Sequence, residues 1–159
     1  MNRTVVGMIT TTFVVFVYGF LFWQVNSLPY EALQQTPDDV TAQAMLKEHF
    51  PRSGSYYIPG RQHSEADFNK LAEQGPVGFV HIDIDGKPAF DPAIMVRGLV
   101  LNFLFVSLLA GLFKITRATE FRDFARTSLV AGAAAVLLID GSNIVWWSAP
   151  INWQIWFSI

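Results

Sequence analysis

Three long apolar stretches divide the chain, and each is long enough to cross a lipid bilayer as a helix. They cover about residues 4–25, 92–114 and 127–148, and a spanning helix needs about 20 apolar residues. The first stretch resembles a signal peptide in position, but it is longer than a signal-peptide core and no small-x-small cleavage site follows it. The pattern therefore predicts three transmembrane helices, the first of them uncleaved.

Residues that commonly begin or end helices flank the second and third stretches, at the start of the second and at the end of the third. Asp91 followed by Pro92 predicts an N-cap and a proline at the first helical position, where the missing N–H costs nothing. Trp146 and Trp147 precede Pro150, an order typical of an interfacial aromatic belt followed by a helix stop. These signals place both helices independently of their hydropathy.

Residues 27–91, which we call the cap, show the mixed pattern of a small α/β unit. Capping signatures predict two helices, beginning at residues 36–39 and 64–67. Runs of β-branched and aromatic residues predict strands at 55–59 and 77–84, and residues 85–88 are typical of a hairpin turn.

The predicted fold is thus a polytopic α-helical membrane protein with three transmembrane helices and a small external α/β insert between helices 1 and 2. The predicted segments are helix 1 in 1–26, the cap in 27–91, helix 2 in 92–114, a loop in 115–126, helix 3 in 127–148 and a tail in 149–159. The tail is uncharged, aromatic and too short to cross. We expect it to lie in the interface, and the start of a fourth helix is the alternative.

The charges orient the helices. Only 15% of residues are charged while 52% are apolar, and there is no cysteine, which excludes a disordered chain, a disulfide scaffold and a soluble nucleic-acid binder. The short loop 115–126 and its borders are rich in Lys and Arg, whereas the cap holds five such residues against ten Asp and Glu, a net charge of −5. The positive-inside rule places the N-terminus and this loop in the cytoplasm and the cap outside.

No residue pattern predicts catalysis. His81, Asp83 and Asp85 alternate along a predicted strand, but ligands so spaced spread over about 13 Å, too far to share one metal ion. No nucleophile elbow or phosphate loop is present. We expect a protein that is not an enzyme and has no metal or cofactor.

Polar residues within the apolar stretches are more informative, because charge at membrane depth is costly and usually paired. Arg97, Asn102, Asp140 and Asn143 are predicted to cluster in the outer half of the bundle. We favour a role in holding the helices in register over ion conduction. We also expect Arg97 and Asp140 to depend on each other.

Aromatic residues are too many for the cap to hide, and aromatics favour interfaces. Tyr56 and Tyr57 are adjacent in a predicted strand, so one of them must face away from the cap's own core. We expect such aromatic residues to contact a partner chain or the outer ends of the helices. The candidate partner contacts are Tyr56, Tyr57, Trp146, Trp147, Trp153 and Trp156.

The segments 53–60, 75–78 and 140–150 resemble a family of small bacterial inner-membrane proteins of uncharacterised activity. These have one helix, an external α/β insert and further helices with a D-x-x-N-x-x-W-W-x-x-P stretch. The resemblance implies a bacterial inner membrane and hence a periplasmic cap. We expect an accessory or structural subunit of a larger membrane complex, for example a respiratory or photosynthetic assembly, in contact with lipid and other integral membrane subunits. The alternative is a small transporter or channel component using Asp140 and Arg97.

Overall fold

A computed structural model describes residues 3–88 and 90–158 and confirms the predicted architecture. The elements, in chain order, are α1 (Arg3–Phe20), α2 (Asp39–His49), β1 (Gly54–Ile58), α3 (Glu65–Gln74), β2 (Gly78–Ile82), α4 (Pro92–Ile115), α5 (Phe121–Trp147) and α6 (Ile151–Phe157). A π-helical turn, Leu21–Val25, prolongs α1, and a 3₁₀ turn follows at Leu28–Ala32.

Three helical stretches are long and apolar enough to cross a membrane: Arg3–Val25, Pro92–Ile115 and Phe121–Trp147. Hardly any side chain of these helices is buried inside the protein. The protein is therefore a membrane protein whose apolar helix surfaces contact the lipid bilayer. We call the end of the helices nearest the cap the cap end, and the opposite end the loop end.

Helices α1 and α4 form the closest helix pair. Gly98 lies at this contact, where an added methyl group would be 3.6 Å from the ring of Phe16, an ordinary van der Waals distance. Thr12 and Val106 are each only 5% exposed, and the Thr12 hydroxyl donates to the Met8 carbonyl at 2.8 Å within its own helix. A small residue at the contact and a hydroxyl satisfied locally are typical of helix pairs in lipid.

Helix α5 begins before the apolar stretch that predicted it. The Asp123 carboxylate accepts hydrogen bonds from the Thr119 and Glu120 N–H groups, both at 3.3 Å, and so fixes the first turn at the loop end. The rings of Phe113 and Phe124, 4.8 Å apart, join α4 to α5 there. Along the rest of its length α5 is largely open to lipid.

Both predicted cap helices form with the expected caps. The Asp38 side chain accepts from the Val40 and Thr41 N–H groups at the start of α2, and the Ser64 hydroxyl accepts from the Asp67 N–H at 3.2 Å at the start of α3. Hydrogen bonds from the Thr41 hydroxyl and then from the Thr41 N–H lower the pKa of Asp38 below its ordinary value. Desolvation opposes this shift, and the Val40 N–H lowers the pKa by less than desolvation raises it.

The two predicted strands pair with each other in an antiparallel sheet, and α3 lies between them in sequence. The hairpin predicted at 85–88 is wrong. Among the described residues no strand follows Gly86, and the bend instead leads into α4. Lys87 and Asp83 form a 3.4 Å ion pair across this bend. The turn-forming residues therefore connect β2 to the membrane-spanning helix α4 and do not join two strands.

The tail forms a helix that reverses direction. Helix α6 follows α5 after a short turn, and the Ser158 hydroxyl at its end donates to the Asp140 carboxylate at 3.1 Å. Asp140 lies seven residues before Trp147, about 10 Å below the cap end of α5. Helix α6 therefore runs back alongside the last turns of α5. Whether this places it in the interface or begins a fourth span stays a prediction.

Candidate functional site

One face of the cap sheet rests on the end of α5. Tyr57 pairs with Phe79, and Ser55 with His81, across the two strands, so these four side chains share a face. The Trp147 ring lies 5.1 Å from that of Phe79 and 6.1 Å from that of Tyr57. The cap is thus held to a membrane-spanning helix by aromatic contacts.

A left-handed residue ends α5 beneath this contact. Ser148 has φ 54° and ψ 31°, and its N–H donates to the Asn143 carbonyl. The same carbonyl accepts from the Ala149 N–H at 3.1 Å. This closure satisfies a terminal carbonyl, as a left-handed C-cap does, and it turns the chain sharply so that α6 can return.

The aromatic side of α6 packs against the end of the first membrane-spanning helix. Trp153 and Phe157 lie 6.1 Å and 5.0 Å, respectively, from Trp23, and Trp156 lies 6.1 Å from Phe22. The Asn152 amide also donates to the Ala32 carbonyl at 3.1 Å. Helix α6 therefore connects α5, the end of α1 and the 3₁₀ turn in one aromatic layer.

A cleft of about 660 Å³ lies between the sheet face and the α5–α6 turn. Its walls are the sheet face on one side and the turn with the start of α6 on the other. The lining residues are Tyr57, Val77, Gly78, Phe79, His81, Asn143, Trp146, Trp147, Ser148, Ala149, Pro150, Trp153 and Gln154. We call this space the aromatic cleft. Among the residues that the structure describes, no Lys, Arg, Asp or Glu belongs to this lining.

Several polar groups of the aromatic cleft lack protein partners. The side-chain amides of Asn143 and Gln154 make no hydrogen bond within residues 3–88 and 90–158. His81 Nδ1 lies 2.8 Å from the Ser55 hydroxyl, while its second ring nitrogen has no partner in the same ranges. The aromatic cleft thus combines aromatic walls with two amides and an imidazole nitrogen that can form hydrogen bonds. Apolar walls with a few polar groups are typical of a small-molecule site.

The four intramembrane polar residues lie in three separate settings. The Arg97 side chain is exposed. Within the described part of the chain, the side chains of Arg97 and Asn102 make no hydrogen bond and no ion pair. Asp140 bonds the Ser158 hydroxyl, and Asn143 lines the aromatic cleft. No bond joins any two of the four within the described residues, so the predicted cluster stays a prediction.

The His81–Asp85 string does not continue as one strand, since β2 ends at Ile82. Asp83 instead lies within 3.4 Å of both the Ser53 hydroxyl and the Lys87 ammonium. Among the residues that the structure describes, no three His, Asp or Glu side chains come together as metal ligands.

The aromatic residues predicted to contact a partner lie in different places: on the two faces of the cap sheet and on the helices. Tyr57, Trp146, Trp147 and Trp153 come together at the aromatic cleft. Tyr56 lies on the other sheet face, where its ring is 4.7 Å from Phe50 and its hydroxyl donates to the Arg52 carbonyl at 2.7 Å. Trp146 is 75% exposed, and contact of any of these residues with a partner chain stays a prediction.

Eight of the thirteen residues that line the aromatic cleft were not predicted as site residues, among them Phe79, His81 and Gln154. The alternation of β2 gave a usable signal, because Phe79 and His81 share a face with Tyr57 once the strands pair. Gln154 carried no such signal, since its position depends on the reversal at Ser148.

No protein-family model, curated protein or solved structure matches the chain.

Proposed function

We propose that the protein is a non-catalytic accessory or structural subunit of a larger membrane protein complex. It resides in a bacterial inner membrane with its N-terminus in the cytoplasm and its cap in the periplasm. The observation that carries the proposal is Arg97, a charged residue on a membrane-spanning helix that finds no partner in the described chain. Ionisable groups at such positions usually pair with another group.

The depth of Arg97 fits a contact between subunits. It lies five residues after Pro92, about 7.5 Å along α4 from the cap end. Its exposed side chain can meet an acidic or carbonyl group of a neighbouring helix near the outer membrane surface.

Helix α5 offers a second surface for assembly. Leu129, Leu137 and Leu138 are 72%, 75% and 72% exposed, because neither α1 nor α4 covers this part of α5. The same helix carries small residues at four-residue spacing, Ser128 with Gly132 and Ala131 with Ala135, which allow close helix contact. Lipid covers this face in an isolated chain, and we propose that another integral membrane subunit covers it in the complex.

The test is purification from the native membrane in mild detergent, followed by native mass spectrometry. We expect a defined complex with another integral membrane protein, and we expect Arg97→Gln to release that partner while the chain stays folded. Lys114→Gln is the matched control, since it removes a charge from the loop end of the same helix and should leave the complex intact.

Two results would overturn the proposal: recovery of the wild-type chain as a lone monomer, or retention of the partner by Arg97→Gln. A small transporter or channel component would replace it if reconstituted vesicles showed an ion flux that Asp140→Asn abolished in a folded protein.

A further inference from the structure

We propose that the aromatic cleft binds an uncharged amphipathic ligand that has an apolar body and carbonyl or hydroxyl groups at one end. This inference goes beyond the proposed function and does not depend on it, because the aromatic cleft is formed by this chain alone. Quinone head groups and neutral glyceride lipids both have this chemistry.

The size of the aromatic cleft fits such a ligand. Its volume of about 660 Å³ lies within the range of roughly 300–1,000 Å³ that small-molecule sites occupy. The Trp147 ring already contacts the rings of Tyr57 and Phe79, so the aromatic wall is preformed. A preformed wall lowers the ordering cost of binding.

The unpartnered polar groups identify the functional groups of the ligand. Asn143 and Gln154 each present an amide that can donate to a carbonyl and accept from a hydroxyl. The free ring nitrogen of His81 can serve on the opposite wall. A ligand with oxygen atoms at one end satisfies these groups, whereas a plain hydrocarbon chain would leave them without partners.

The charges around the aromatic cleft disfavour an anionic ligand. Among the described residues no Lys or Arg lines it, and the cap that forms one wall has a net charge of −5. The Arg61 guanidinium lies 5.7 Å from the Tyr57 ring centroid but does not belong to the lining. Fatty acids and anionic lipid head groups would therefore find no cation within the aromatic cleft to form an ion pair.

The position of the aromatic cleft supplies the apolar end of the ligand with a route into the bilayer. Trp146 and Trp147 close α5 at the cap end, the depth at which tryptophans mark the membrane interface. Trp146, which is 75% exposed, stands on the rim. A ligand can therefore place its oxygen atoms in the aromatic cleft while its tail lies in lipid beside α5.

The test uses the purified full chain in nanodiscs of zwitterionic phospholipid and two photoreactive probes. One probe is a diazirine-bearing decylbenzoquinone, and the other is a diazirine-bearing monoacylglycerol. We expect one of them to label peptides covering residues 77–81 and 143–154 saturably, and we expect an excess of the unlabelled compound to prevent this labelling. The probe that is competed identifies the source of the ligand.

Variants with a leucine in place of each amide test the polar contacts. Asn143→Leu or Gln154→Leu should weaken the apparent Kd by about fivefold each, the usual net effect of one hydrogen bond. Asn102→Leu is the matched control, because it removes an amide from α4 outside the aromatic cleft and should leave labelling unchanged. Circular dichroism verifies the fold, and the Gln154 variant alone decides the matter if the Asn143 variant does not fold.

The proposal is overturned if neither probe labels the aromatic cleft above the level found on α1 and α4. It is equally overturned if labelling cannot be saturated, or if the folded amide variants bind both probes as the wild type does.

Discussion

Replacing Trp147 by Ala should loosen the cap sheet from the membrane helices. Trp147 is 51% exposed, so it hides about 120 Å² of the roughly 250 Å² that a tryptophan can bury. At about 25 cal/mol per Å² this burial is worth at most about 3 kcal/mol. The ring contacts with Phe79 and Tyr57 add about 0.5–1.5 kcal/mol each.

Part of the hidden area of Trp147 lies against its own helix, so we expect a net loss of about 3 kcal/mol rather than the full sum. The measurement is hydrogen exchange of β1 and β2 amides, followed by mass spectrometry, on the full chain in nanodiscs. A loss of this size accelerates exchange roughly 150-fold if opening of the sheet limits it.

Trp146→Ala is the matched control for this experiment. Trp146 precedes Trp147 on α5, is 75% exposed and has no ring contact in the described part of the chain. By the same area estimate its loss costs at most about 1.6 kcal/mol. Because Trp146 has no ring contact with the sheet, its loss should change exchange in the sheet only slightly. If Trp147→Ala left β1 and β2 exchange within about threefold of the wild-type rate, the sheet would not be held by the end of α5, and the reasoning would fail.

Three further predictions follow from local geometry. Ser148 has φ 54°, a left-handed conformation that glycine adopts easily and a β-branched residue does not. Ser148→Gly should therefore raise the stability of the α5 end by about 1 kcal/mol, and Ser148→Val should lower it. If both substitutions shifted the thermal unfolding midpoint in the same direction, this reasoning would be refuted. The pKa of Asp38 is lowered in the folded cap, so its carboxylate stabilises α2 above the unfolded pKa of about 3.9, and this contribution is lost as the pH falls through the lower folded pKa. Asp38→Asn should remove that acid-dependent part of α2 amide exchange, and identical pH profiles for the two proteins would contradict the cause given. No bond joins Arg97 to Asp140 in the described residues, so the effects of Arg97→Ala and Asp140→Asn on the free energy of unfolding should add within about 0.5 kcal/mol. Asp140→Asn should be the milder substitution. A double-mutant cycle that showed stronger coupling would support the mutual dependence that the sequence suggested.

The spans and the cap helices could be predicted from sequence because their causes are local. An apolar stretch of sufficient length needs no knowledge of its neighbours to be assigned to a bilayer. Asp38, Ser64 and Asp91 likewise cap helices that begin within three residues of them.

The hairpin and the aromatic cleft depend on long-range pairing, which no local pattern reports. The turn-like residues near Gly86 predict a reversal equally well whether a strand or a transmembrane helix follows. The meeting of Tyr57 with Trp147 requires the strand register, the end of α5 and the course of the chain between them. The sequence could therefore name these aromatics as contact residues without naming what each contacts.

The cap and the membrane helices depend on each other structurally. Among the described residues of α2, α3, β1 and β2 none is fully buried, so the cap has too little core of its own to hold its shape. It gains order at the end of α5 through Trp147 and near α6 through the Asn152–Ala32 hydrogen bond. Both supports meet at the turn that Ser148 closes. A ligand in the aromatic cleft would therefore contact the same side chains, Tyr57, Phe79 and Trp147, that hold the cap sheet to α5. In the described chain these rings are the only aromatic contacts between the sheet and the membrane helices.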